Sequence, residues 1–210
     1  AALAEGTFDV AVTATDAASN AGTDATTGEL EIDTTPPTAV ADTGTATEGD
    51  AASTLGALNV TANDMFTAGT GPVTAVAGSA ANVGTAVAGG NGGLFTVNAD
   101  GTVTFDPNGD FDALAAGATQ ATAVAVTVRD AAGNTATADL TVTVTGINDA
   151  PTVASAPADQ TATPGDAFSY TLPAGTFADV DAGDTLTLTA SLSGGGALPA
   201  WLSFDAASRT

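Results

Sequence analysis

The side chains in this chain with chemical capacity are carboxylates and amides, and they gather in turn-like stretches. Asp179, Asp181 and Asp184 fall within one short run, DVDAGD. Asn148 and Asp149 stand just before Pro151, where an alternating apolar stretch gives way. Asp33 stands in the same relation to Pro36 and Pro37, and Asn63, Asp64 and Asp130 occupy further polar turns. Several hard oxygen donors gathered at one place suit calcium, which takes roughly 6–8 of them. Magnesium wants a tighter octahedron and keeps its waters, and zinc lacks its usual ligands because the chain has no His and no Cys. Three acids as close as Asp179, Asp181 and Asp184 repel one another unless a cation sits among them.

The competing explanation is local. Asp and Asn cap turns and tolerate left-handed backbone, so an acid in a loop needs no ion. That explanation is the better one for Asp100, in NADG. It stays level with metal binding for Asp16 and Asp130, because DAAGN also makes a good hairpin turn. Asp106, Asp110 and Asp112 are equally open. Asp33 and Asp149 abut a junction, which favours the metal. The four glutamates, Glu5, Glu29, Glu31 and Glu48, have no pocket-like setting in the sequence.

The rest of the composition excludes more than it assigns. Of 210 residues, 24 are acids and two are bases, Arg129 and Arg209, for a net charge of -22. Phosphate binding needs clustered cations, so nucleic acid is no partner. An anionic membrane surface is excluded on the same ground, and no apolar run approaches the roughly 18 residues of a membrane span. Without His, Cys or Lys there are no nucleophilic triads and no Schiff bases; a glycosidase-like carboxylate pair stays formally open. Hydrophobic residues make up 44% but aromatics only 5%, so the core is thin in buried area and the charge needs an offset.

The elements that must position the acids read as short strands. Leu140, Val142 and Val144 alternate with threonines and end at Gly146; Val124, Val126 and Val128 alternate before DAAGN. Leu58 and Val60 lead into Asn63–Asp64, and Leu94, Phe95 and Val97 lead through Asn98–Gly101 to Val103 and Phe105. TATDAASNAGT followed by a strand and IDTTPPT repeats as TVRDAAGNTAT followed by a strand and INDAPT, pairing Asp16 with Asp130 and Asp33 with Asp149. The expected fold class is all-β: tandem antiparallel Ig-like or cadherin-like β-sandwiches, the first and last incomplete. Residues 1–38 read as the last strands of one domain, through Phe8, Val10 and Val12 and through Leu30 and Ile32. Residues 39–150 read as a whole sandwich. Residues 151–210 begin a third, with strands at Phe168, Tyr170 and Leu172 and at Leu186, Leu188 and Leu192, and with Trp201 and Phe204 in its core. In such a sandwich the B–C, D–E and F–G loops cluster at the end facing the preceding domain. That brings Asn63, Asp64, Asp100 and Asp130 toward Asp33 at one junction, and Asp179, Asp181 and Asp184 toward Asn148 and Asp149 at the next.

These stretches carry a family likeness. LAEGTFDVAVTATDAASNAGT with IDTTPPT resembles the end of a bacterial Ig-like repeat. GTVTFDPNGDFDALAAG, TVRDAAGN and VTVTGINDAP, in that order, resemble the VCBS-type cadherin-like repeat. QTATPGDAFSYTLPAGTFADVDAGDTLTLTA with LPAWLSFDAASRT resembles a dystroglycan-type cadherin-like domain. Such modules are strung together in giant RTX-type bacterial surface adhesins. The resemblance implies calcium at the junctions, secretion by a type I route and a place on the cell surface. The GGxGxD nonapeptide of RTX tails is absent; GGNGGLFTV comes nearest.

The expectation is therefore a calcium-rigidified extender that projects a distal binding domain for adhesion and biofilm formation. Its partners are the neighbouring domains of the same chain, with host or surface glycans and proteins reached through other domains. A ligand-binding module for a glycan, a peptide or ice is the alternative, along with a non-catalytic accessory region of a secreted enzyme. The sequence offers neither an exposed aromatic row nor a regular threonine grid for the former.

Overall fold

The computed structural model describes residues 3–24, 26–66 and 71–210, with the side chains of residues 54 and 57 left aside. The regular structure of the described residues is nearly all β, with 34% of residues in strands and 1% in helix, and its centre is a two-sheet sandwich in the all-β class read from the alternation. One sheet is ordered β6 (Ser53–Asn59), β10 (Thr102–Asp106), β9 (Leu94–Val97), β8 (Ala86–Ala88). The other is ordered β5 (Asp42–Thr47), β12 (Thr135–Thr145), β11 (Thr119–Arg129), β7 (Val73–Val76). The long β11–β12 hairpin pairs from Thr119↔Thr145 to Arg129↔Thr135. Its strict period of two sends Val124, Val126, Val128, Leu140, Val142 and Val144 inward. They meet Phe95, Phe105 and Phe111 from the other layer; Phe95 and Phe105 pack edge-on at 4.8 Å between centroids. Thr122 is the one hydroxyl in that inward row. It is buried without penalty because its Oγ1 donates to the Gly92 carbonyl at 2.8 Å.

β5 is a strand the sequence conceals. Its residues, DTGTAT, include no large apolar side chain, yet it pairs in parallel with β12, from Leu140↔Asp42 to Thr145↔Thr47. Thr43, Thr45 and Thr47 thus lie opposite Thr141, Thr143 and Thr145 on the outer face. A regular threonine array does exist, contrary to the sequence reading, because its second row sits on the unrecognised strand. Gly101 takes φ +84° in the β9–β10 turn and donates to the Asn98 carbonyl at 3.0 Å, as its hairpin position demands.

On the N-terminal side, β1 (Gly6–Phe8) pairs with β4 (Leu30–Ile32), and β2 (Thr13–Thr15) pairs with β3 (Ala21–Thr23). The single strand expected through Phe8, Val10 and Val12 is thus split, and Val10 and Val12 are exposed. On the C-terminal side only β13 (Thr152–Val153) and β14 (Phe177–Ala178) pair. The strands expected at Phe168–Leu172 and Leu186–Leu192 make no ladder, and Trp201 is 79% exposed rather than in a core. Alternation specifies which face is apolar, but a ladder needs a second strand to receive its hydrogen bonds. Among the described residues, Leu172 makes a single such bond, its N–H to the Arg209 carbonyl at 2.8 Å, and no ladder extends from it.

Candidate metal centre

The site is assembled from three segments at the exit of the central sandwich. The first is the turn after β5. The Asp50 carboxylate accepts from the Thr47 N–H at 2.7 Å, and the Glu48 N–H donates to the Thr145 carbonyl at 3.1 Å. This pins Glu48 beside the end of β12, where it is buried at 4% exposure. One carboxylate oxygen, Oε1, accepts from the Ile147 N–H at 2.6 Å; the other, Oε2, is buried with no hydrogen-bond partner.

The second segment is the linker. Gly146 donates to the Ala118 carbonyl at 2.8 Å and accepts from the Gly117 N–H at 2.9 Å. A Cβ there would lie 2.5 Å from the carbonyl oxygens of Leu114 and Ala115. Gly146 is required for close packing against the 111–117 loop. The linker then passes Ile147 and Asn148 to Asp149, whose carbonyl accepts from the exposed Asn148 side-chain amide at 2.7 Å.

The third segment is the DVDAGD loop. Asp179 Oδ1 accepts from the Asp181 N–H at 3.1 Å, and the Asp184 N–H donates to the Asp181 carbonyl at 3.3 Å. Asp181 is 4% exposed; its Oδ2 accepts from the Asp149 N–H at 2.9 Å, and its Oδ1 is buried with no partner. The Ala182 N–H also reaches the Ala113 carbonyl of the sandwich at 3.0 Å. The linker backbone is therefore held from both sides, by Glu48 at Ile147 and by Asp181 at Asp149.

Glu48, Asp149 and Asp181 each bring an oxygen within 4.8 Å of the others, and so do Asp179, Asp181 and Asp184, with Asp181 common to both groups. At that separation each fully charged pair repels by roughly 3 kcal/mol at an effective dielectric of about 20. Two buried carboxylate oxygens without donors add a desolvation cost. A hard divalent cation fits this donor set: all oxygen, net negative, two oxygens preformed and unclaimed.

The other junction is built differently. Asp130, 3% exposed, has its oxygens taken by Asn134: the backbone N–H at 2.8 Å on Oδ1 and the side-chain amide at 3.0 Å on Oδ2. Burial alone pushes the Asp130 carboxyl up, but the Asn134 amide and the N–H groups of Asn134, Gly133 and Ala132 outweigh it and hold it below its ordinary value. The same Asn134 amide donates to the carbonyls of Asp33 at 3.2 Å and Thr35 at 3.4 Å. Asp33 itself accepts from the Thr35 N–H at 2.9 Å.

Asn63 and Asp64 look elsewhere. Asp64 Oδ1 accepts from the Val40 N–H at 2.8 Å, and its Oδ2 is buried without a partner. The charge of Asp64 bears on Asp42, which is buried at the start of β5. Burial first, then the Asp64 charge, raises the Asp42 carboxyl above its ordinary value against a hydrogen bond from Asn63. Asp33, Asn63, Asp64 and Asp130 thus form no shared acid trio among the described residues.

Other loop acids are tied into their own surroundings. Asp100 accepts from the Thr102 N–H at 3.0 Å and from its hydroxyl. Asp106 accepts from Asn108 and Asp110 from Gly93. Glu48 is the functional candidate that sequence reasoning missed, and Asn134 is the structural one.

Comparison with known families agrees with this architecture. Residues 34–146, more than half of the chain, match the family described as "Bacterial cadherin-like domain". Residues 150–210 match the family described as "Putative Ig domain". Both kinds of domain are typically non-catalytic, and bacterial cadherin-like domains point to an extracellular or surface protein; among the described residues no helix is long and apolar enough to cross a membrane. No curated protein matches the chain. On the extent of the first match, the chain belongs to the bacterial cadherin-like domain family.

Proposed function

We propose that this chain is a calcium-rigidified extender segment of a large, secreted, RTX-type bacterial surface adhesin. It would hold a distal binding domain away from the cell for adhesion and biofilm formation. The observation that carries the reading is that Glu48 and Asp181, two carboxylates that approach each other and Asp149 where the linker leaves the sandwich, each keep one buried oxygen, Oε2 and Oδ1, without a hydrogen-bond partner. Glu48, Asp149 and Asp181 would hold one calcium ion, and Asp179 and Asp184 would extend the donor set through Asp181. The ion would supply positive charge where the carboxylates repel. Because the ligands come from the sandwich, the linker and the following domain, binding would select one interdomain angle. Neighbouring domains are then the chain's direct partners, and glycans or host proteins are met by other parts of the molecule.

Small-angle scattering tests the reading. With calcium the particle should lengthen and its distance distribution should narrow; with chelator it should bend and broaden. Identical profiles in the two conditions would remove calcium from the account.

A further inference from the structure

The chain contains the same stapled turn twice, once covered and once bare. At Asp16–Asn20, Asp16 Oδ1 accepts from the Asn20 N–H at 2.9 Å and Oδ2 from the Asn20 side-chain amide at 2.8 Å. At Asp130–Asn134 the corresponding distances are 2.8 and 3.0 Å. Both turns close with an Asp N–H to Asn carbonyl bond, at 2.9 and 3.0 Å. Both have left-handed backbone at the fourth position, Ser19 at φ +67° and Gly133 at φ +100°. Both are flanked by a cross-strand threonine pair, Thr13–Thr23 and Thr127–Thr137, each 2.9 Å apart.

The two differ in what lies on top. The Asn134 amide carries the carbonyls of Asp33 and Thr35, and Asp130 beneath it is buried. Asn20 and Asp16 are exposed. An amide nitrogen has two hydrogens. In the bare turn one goes to Asp16, and the other is presented as the Asn134 hydrogen is presented to the linker.

We infer that the Asp16–Asn20 turn is a docking site for the exit segment of another immunoglobulin-like module. The ligand is an extended, proline-marked peptide offering two backbone carbonyls two residues apart. Proline supplies what the site reads: it keeps the segment extended and out of any sheet ladder, so its neighbours' carbonyls stay free. No cation takes part, so the inference is independent of the calcium reading and is tested in chelator.

The probe is the blocked peptide with the sequence of residues 31–38, EIDTTPPT, titrated into the isotope-labelled whole chain and followed by NMR. The Asn20 side-chain amide and the backbone amides of Ala18–Asn20 should shift and saturate, with a dissociation constant on the order of 1 mM for so few contacts. Asn134, already occupied, should not move. In Asn20→Ala the shifts should vanish while the Thr13–Thr23 cross-strand contacts persist. If that variant loses the hairpin, the wild-type map decides: shifts centred on Asn20 support the site, and shifts elsewhere overturn it. No shift at about 20 mM peptide, well above that constant, also overturns it.

Discussion

The two junctions of the central sandwich begin from similar sequence and close by different means. At the first, a proline-marked linker is latched by a neutral amide, Asn134, whose own carboxylate partner is satisfied. At the second, the linker is gripped by two carboxylates, each keeping a buried oxygen unclaimed. The lesson is that acid content does not identify a metal junction. Asp130 is as buried as Asp181, but its oxygens are spent on hydrogen bonds within its own turn. A cation site requires several acids close together with oxygens left over; Asp64 also keeps a buried oxygen unclaimed, but among the described residues it belongs to no acid trio.

The contrast should be plainest in heat. Calcium at about a hundred times its dissociation constant should stabilise the chain by roughly 2.7 kcal/mol over the chelated form. Superimposable calorimetric traces would make the two junctions equivalent.

Next in size are the ligand changes. Glu48→Gln keeps an acceptor for the Ile147 N–H but removes the charge, so calcium affinity by titration calorimetry should fall at least about tenfold, or ~1.4 kcal/mol. Asp149→Ala and Asp181→Ala should each abolish the calcium-dependent narrowing of the scattering profile while the amides of Val124–Val128 and Leu140–Val144 stay the slowest to exchange. Wild-type affinity in all three would make these residues turn formers.

Asn134→Ala strikes the other junction. Exchange of the Thr34 and Thr35 amides should quicken by roughly fivefold, near 1 kcal/mol for lost neutral hydrogen bonds, and equally with calcium or chelator. A calcium-dependent response would blur the distinction.

The smallest effects are in pH. The Asp130 carboxyl sits below its ordinary value, so its contribution is present above the unfolded-state value and is lost as pH falls through the folded one. Strong acid should therefore loosen the first junction. Asp42 runs the other way: its contribution is intact below the unfolded-state value and lost as pH rises through the raised folded one. In chelator, Asp42→Asn should raise the midpoint at neutral pH by about 2 °C and change nothing in acid.

Much of this was legible in the sequence. The β11–β12 hairpin announces itself because both strands bury one face against the other sheet, and DVDAGD with INDAP concentrates its donors within short windows. Glu48 was not legible. It is a lone acid after a strand of threonine, alanine and glycine, and its partners at Ile147 and Asp181 are distant in sequence and brought near by the parallel pairing of β5. Asn134 escaped because a DAAxN turn reads the same whether its amide faces solvent, as at Asn20 in DAASN, or a linker. The C-terminal alternation was legible as apolar faces, but pattern alone does not supply a pairing partner.

The parallel ladder between β5 and β12 has a mechanical consequence. The polypeptide enters the sandwich at the start of β5 and leaves it at the end of β12, and the two strands run the same way side by side. Tension applied through the two linkers therefore pulls the strands past each other along their length. The bonds joining the six residues Asp42–Thr47 to Leu140–Thr145 lie across that pull. They share the load and must fail together rather than open one at a time, which makes this pair the sandwich's clamp against stretching.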